Sequence, residues 1–351
     1  KRPRVGVVVV FEPMKALRVA VTKNTPGKAL QSALAGVDVS SEEVSHLLRL
    51  AVARGHAGVA AGMLAAGARP GECLGAELLV AALKADAASL VAPLLRALPA
   101  DADMEGAAAS GWTPLFWAAQ RGDAAAVEAL LAAGAAVGAT ERSGGTPLMV
   151  AVQHGQASAA AALLAANADV EAVDSAGWSA MLWAAQAGDA AMLRLLRGAG
   201  ASTQSAAGSA LMVAVENGRV EAAGELLASA TPGDSGGGGG GGDAPAPGLA
   251  RVEVDARDAQ GWTAVAVAAG SGRVKLLRML LRAGGSPYAR TSRTGRTPLM
   301  AAAQGGHAAA VQALVEHVAS QPAAEASEAA SAEAPPDAGG AGAGAAAEAE
   351  A

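Results

Sequence analysis

One short segment occurs six times in this chain in a single register, and that recurrence limits the fold more than any other feature. Gly111-Trp112-Thr113-Pro114-Leu115 comes back as Gly144-Gly145-Thr146-Pro147-Leu148, as Gly177-Trp178-Ser179-Ala180-Met181 and, shortened, as Gly208-Ser209-Ala210-Leu211. Two later copies are Gly261-Trp262-Thr263-Ala264-Val265 and Gly295-Arg296-Thr297-Pro298-Leu299. The Thr or Ser markers stand at 113, 146, 179, 209, 263 and 297, in steps of 33, 33, 30, 54 and 34. The step of 54 is one period of 33 plus 21 residues, so it holds an insertion. A second marker keeps the same frame: Gly122, Gly155, Gly188, Gly218, Gly272 and Gly306 each follow the Thr or Ser by nine residues. Eight residues past those glycines come Leu130, Leu163, Leu196, Leu226, Leu280 and Leu314. A fixed period of this length marks an array of stacked supersecondary units.

Each unit is expected to be helix–loop–helix. A Thr or Ser hydroxyl can accept from free N–H groups at a helix start, and proline suits the first turn. A short helix over Leu115–Arg121 is predicted, then a turn at Gly122, then a second helix at about Ala124–Ala132 with Val127, Leu130 and Leu131 at helical spacing. Gly134 ends it in a conformation with positive φ, and Asn167 holds the same place one unit on. Hydrophobic residues make up 52% of the chain but aromatics only 2%, so alanine supplies much of the apolar content. Alanines at 118, 119, 151, 184, 185, 214, 268, 269, 302 and 303 would let neighbouring helices approach closely.

The pattern resembles the ankyrin repeat, with its period of 33 and its T-P-L-H-x-A signature. The likeness is strongest over Thr113–Val137, TPLFWAAQRGDAAAVEALLAAGAAV, and covers about 43–320. Upstream, Gly55 with Met63, Leu64 and Gly67, and Asp86 with Leu94 and Leu95, keep the spacing. The resemblance implies an all-α solenoid of about eight helix-turn-helix repeats with projecting hairpin-like loops, starting near 43, 74, 108, 141, 174, 205, 258 and 292. Residues 1–42 are an N-terminal segment in which Leu17-Arg18-Val19-Ala20-Val21 parallels Leu48-Arg49-Leu50-Ala51-Val52, as in a degenerate capping repeat. Residues 228–250, with Gly236–Gly242 unbroken, are expected to be a disordered insertion. The Ala/Glu/Gly/Pro-rich tail 321–351 is expected to be disordered too. The signature histidine is replaced throughout, by Phe116, Met149, Leu182, Met212, Ala266 and Met300, so apolar packing stands where the family links its loops by hydrogen bonds.

The resemblance also implies a function, a scaffold or adaptor that grips a protein partner in a concave groove. In the family the residue before the Thr or Ser projects into that groove, which here places Trp112, Trp178 and Trp262 there. Trp117 and Trp183, inside the first helix, fall at a position that is packed in the family. The same register puts Gln120, Arg121, Gln153, His154, Gln186, Glu216, Asn217, Arg293 and Arg296 in the groove. The alternative, prompted by the unexplained segment Lys1–Phe11, is the regulatory array of a larger enzyme, ubiquitin-ligase adaptor or channel truncated at Lys1.

Enzymatic and cofactor chemistry finds no support in the residue pattern. The five histidines His46, His56, His154, His307 and His317 make no i, i+4 pair and no Cys/His set, so no metal is expected. No nucleophile–base arrangement stands out, and the glycine run lacks the Lys and Ser/Thr of a phosphate loop. No cofactor and no catalytic residue are therefore expected. A net charge of −6 disfavours nucleic acid as partner. No apolar run approaches the ~20 residues of a membrane span, so no membrane insertion is expected. The single cysteine, Cys73, permits no intrachain disulfide and suits an intracellular, cytoplasmic or nuclear setting. The solenoid is expected to be monomeric.

Overall fold

The computed structural model describes residues 12–320 except 36, 71–74, 100–103, 106–110, 206–207, 229–253, 259 and 293. Cys73, Arg293, the Lys1–Phe11 segment, the tail 321–351 and all but the first residue of the 228–250 insertion lie outside the described residues. The described helices belong to two compact units, divided after Ala207.

Unit one holds six helix pairs. They are α1 (Glu12–Lys23) with α2 (Lys28–Leu34), α3 (Glu42–Ala53) with α4 (Ala57–Ala65), and α5 (Gly75–Lys84) with α6 (Val91–Ala97), which a short 3₁₀ turn precedes. Then come α7 (Pro114–Arg121) with α8 (Ala124–Ala132), α9 (Pro147–Gln153) with α10 (Ala157–Ala165), and α11 (Ala180–Ala187) with α12 (Ala190–Gly198). First helices pack in sequence, α1 on α3, α3 on α5 and so on to α11, and second helices form a parallel row from α2 to α12. Unit two repeats the plan with α13 (Ala210–Glu216) and α14 (Val220–Ala228), α15 (Ala264–Gly270) and α16 (Val274–Arg282), and α17 (Pro298–Gln304) and α18 (Ala308–Ser320).

The helix starts follow the sequence expectation only in part. Thr146, Thr263 and Thr297 accept from the N–H three residues on, at Met149, Ala266 and Met300. At Thr113, Ser179 and Ser209 the hydroxyl is buried and has no partner, so the extended backbone of the cap residue alone starts those helices. The turn between paired helices is as predicted. Gly122 has φ 78°, and a Cβ there would sit 2.0 Å from Gln156 Oε1. Asn167 adopts φ 60° at the end of α10, and Asp86 takes the same value before α6.

The core is built from small side chains. Ala118, Ala119, Ala151, Ala184, Ala185, Ala214, Ala268, Ala269 and Ala302 are fully buried between neighbouring first helices, whereas Ala303 is exposed. The residues standing at the signature histidine position are buried at Phe116, Met149, Leu182, Met212 and Ala266, but Met300 is 54% exposed. Both exceptions sit on α17, and no described helix pair packs beyond α17 and α18.

Unfolding should therefore respond to position more than to chemistry. Ala184→Leu overfills the α9–α11 contact and should cost about 1–3 kcal/mol, while Ala303→Leu should stay within about 0.5 kcal/mol of the parent. Urea midpoints at constant m-value measure both.

Candidate functional site

The loops that enter α9, α11 and α15 share one design. Asp174 N donates to Trp178 O and Gly177 N donates to Asp174 O, closing a tight hairpin, and Asp258 N–Trp262 O and Gly261 N–Asp258 O repeat it. The loop carboxylates lock this shape: Asp174 Oδ1 accepts from Ala176 N and Trp178 N, each at 2.9 Å, and Asp258 Oδ1 accepts from Gln260 N and Trp262 N, each at 2.8 Å. Glu141 occupies the same loop position before α9, where its N–H donates to Gly145 O. The loops before α11 and α15 thus hold Trp178 and Trp262 on a base fixed by hydrogen bonds.

In unit one the tryptophans are paired rather than divided into packed and projecting sets. Trp112, Trp117, Trp178 and Trp183 are all half-buried. Trp112 meets Trp117 edge-on with ring centres 5.0 Å apart, and its Nε1 donates to Glu141 Oε2 of the next loop at 2.7 Å. Lys84 Nζ stands 4.5 Å over the Trp117 ring, while the Trp117 Nε1 is buried without a partner. Trp178 and Trp183 lie 4.8 Å apart, and Trp183 Nε1 donates to Asp174 Oδ2 at 3.3 Å.

The polar candidates of unit one lie at the C-terminal ends of the first helices. Gln120 Nε2 is 3.4 Å from His154 Nε2, which brings together two candidates one repeat apart. Arg121 forms an ion pair with Asp86. Gln153 and His154 are exposed and Gln186 is half-buried.

In unit two, Glu216 and Trp262 border the same notch of about 480 Å³, whose walls also include Asp258, Gln260, Val267 and Gln304. The flanking protein strips water from the Glu216 carboxyl and the Asp258 charge repels it, so its pKa is raised, against a smaller opposing pull from Arg273. Asn217 lies outside this notch and donates from Nδ2 to Val213 O at 2.8 Å. Arg296 is half-buried, with its N–H on Thr291 Oγ1 at 3.0 Å.

A set of carboxylates absent from the sequence expectation links adjacent loops. Glu105 Oε1 accepts from Ala136 N at 2.9 Å, Glu171 Oε1 from Ser202 N at 2.6 Å, and Asp255 Oδ1 from Ser286 N at 2.9 Å. All three stand eight residues before a Thr or Ser marker, at 113, 179 and 263, and each reaches 31 residues forward. The signal was present as an acidic residue at one register position in alternate repeats. Among the described residues no group of three His, Cys, Asp or Glu gathers in a way that could hold a metal. No described helix is long and apolar enough to cross a membrane.

A family model and a solved structure agree with this fold. The family model described as ankyrin repeats (3 copies) matches residues 78–174 and 247–325. The chain is similar to the solved ankyrin repeat domain of Bcl-3, a member of the IkappaB protein family, at 23% identity and a TM-score of 0.53, over 70% of this chain and 99% of that one. It is also similar to the ankyrin repeat protein EF0377, at 23% identity and a TM-score of 0.48, over 57% of this chain and 96% of that one. No curated protein matches.

Two outcomes follow from these contacts. Glu171→Ala removes a charge-assisted acceptor from an exposed loop and should cost about 1 kcal/mol in a denaturant titration. Glu216 holds its proton more tightly in the folded protein than in the unfolded chain, so stability falls as pH rises from the unfolded carboxyl range through the folded value. Glu216→Gln should therefore raise the melting temperature at neutral pH, and the gain should vanish below about pH 4, where both states are protonated.

Proposed function

The chain belongs to the ankyrin-repeat family, and from that premise we propose that it is a scaffold or adaptor that binds a protein partner along its first helices and hairpin loops. Such folds are typically interaction modules without catalysis, and function on them resides in the surface the repeats present. The observation that carries the reading is the combination along the first helices of half-buried tryptophans, held by rigid loops at the N-terminal ends, with varied polar side chains at the C-terminal ends. Aromatic residues anchored in this way are common centres of binding energy, because they lose little freedom on contact.

The described residues add support of two kinds. The ring pairs Trp112–Trp117 and Trp178–Trp183 fix apolar surface at the loop bases of unit one. At the C-terminal ends of the first helices Gln120, Arg121, Gln153, His154 and Gln186 vary in size and charge from repeat to repeat, as on a surface fitted to one partner. Unit two presents Glu216, Asn217, Trp262 and Arg296 in the same register, with Arg293 outside the described residues. The helix pair α1–α2, with Leu17, Ala20 and Val21 buried, serves in this reading as an N-terminal cap on the stack of unit one.

The test uses residues whose loss leaves the core untouched. Gln153 and His154 are exposed, so Gln153→Glu/His154→Glu should keep the parent's circular dichroism and melting curve. Once a partner has been identified by crosslinking and mass spectrometry, the purified pair should lose at least about tenfold in affinity with this variant. Undiminished binding to the variant removes unit one's face from the reading.

A further inference from the structure

Two tryptophan-bearing loops of the same form, one in each unit, differ at one place. In unit one Asp174 gives Oδ1 to its own loop, and its Oδ2 accepts from Trp183 Nε1, while the Trp183 ring lies 4.8 Å from Trp178. Unit two repeats the frame, with Asp258 for Asp174 and Trp262 for Trp178, but Val267 stands where Trp183 would be. Asp258 Oδ1 is again used by the loop. No donor among the described residues reaches its Oδ2, and no described aromatic ring pairs with Trp262. The volume left beside the smaller Val267 is the notch of about 480 Å³, and Glu216 stands on its wall.

We propose that this notch receives an arginine side chain of a protein partner. A guanidinium can take the place of both contacts that Trp183 makes inside unit one: its N–H donates to the second oxygen of the loop aspartate, as the indole N–H does, and its plane stacks on the loop tryptophan where Trp183 packs at a tilt of 43°. Glu216 supplies what an indole has no use for, a second negative charge. Arg273 lies near this carboxyl, but its Nη1 is given to Val215 O at 2.6 Å. A bound guanidinium sets a positive charge between Asp258 and Glu216 and relieves their repulsion. A lysine ammonium matches the charge but has no plane to lay on Trp262. A neutral amide has the plane but brings no charge to offset the repulsion between Asp258 and Glu216. The inference rests on the reading of these faces as partner-binding surfaces, and it names the chemistry of one anchor.

The test follows the tryptophan indole N–H signals of the full chain by nuclear magnetic resonance. There are five tryptophans, and Trp262→Phe identifies the signal of interest. The probe is Nα-acetyl-arginine amide, with the citrulline and lysine amides as neutral and non-planar controls. The Trp262 signal should shift saturably with the arginine probe, with an affinity at least about fivefold above either control. Asp258→Asn keeps the Oδ1 contacts and should weaken binding by at least about fivefold. Val267→Trp rebuilds the unit-one arrangement and should abolish binding while the chain stays folded. The proposal is overturned if the citrulline amide binds as well as the arginine amide, if binding survives Val267→Trp, or if no saturable shift appears up to about 50 mM probe. Failure here, with Gln153→Glu/His154→Glu still losing its partner, removes the arginine notch alone. Failure of both removes the arginine notch and unit one's face together.

Discussion

The contact between adjacent first helices sets everything else in each unit. It is made by alanines that are fully buried, such as Ala118 and Ala119 on α7, Ala151 on α9, and Ala184 and Ala185 on α11. Side chains this small bring helix axes close, and close axes bring the loops at their N-terminal ends into reach of one another. Ser175 N can then donate to Ser143 O at 2.8 Å, and Trp112 can reach Glu141. Within a stack where each pair touches only its neighbours, stability is close to a sum of local terms.

The loops use that proximity in two ways. Backbone bonds and loop carboxylates fix their shape, so the flanking tryptophans are held without being fully buried. The carboxylates at Glu105, Glu171 and Asp255 then tie one loop to the next. These ties accompany the missing signature histidine. Where the buried Phe116, Met149 and Leu182 contribute packing in place of a polar link, acidic side chains on the loops restore part of the hydrogen bonding between repeats.

Much of this was legible in the sequence. The period, the helix pairs and the left-handed turn residues came from spacing and from residue types that few alternatives satisfy. The bounds of α8 agree with Ala124–Ala132, because Asp123 caps it and Gly134 ends it. Three things were hidden. Thr113 and Thr146 are the same residue in the same register, yet only the Thr146 side chain caps its helix, a difference of local geometry that residue type does not encode. The pairing of Trp112 with Trp117 and of Trp178 with Trp183 depends on ring orientation, which spacing does not encode. The notch beside Trp262 is visible only by contrast, because Val267 differs from Trp183 by a volume that has to be seen in place.

That notch has one wall on a different element from its tryptophan. Ala301, Gln304 and Gly305 belong to α17 and the turn after it, whereas Trp262 and Val267 belong to α15 and its loop. The far side of α17 is open among the described residues, as the exposure of Met300 and Ala303 shows. The helix is therefore steadied mainly from the α15 side, the side on which the notch lies. A side chain seated there would touch both elements and favour the state in which α17 is folded against α15. Occupancy and the order of the last described repeat would then rise and fall together, so that recognition in unit two would also act as a clasp.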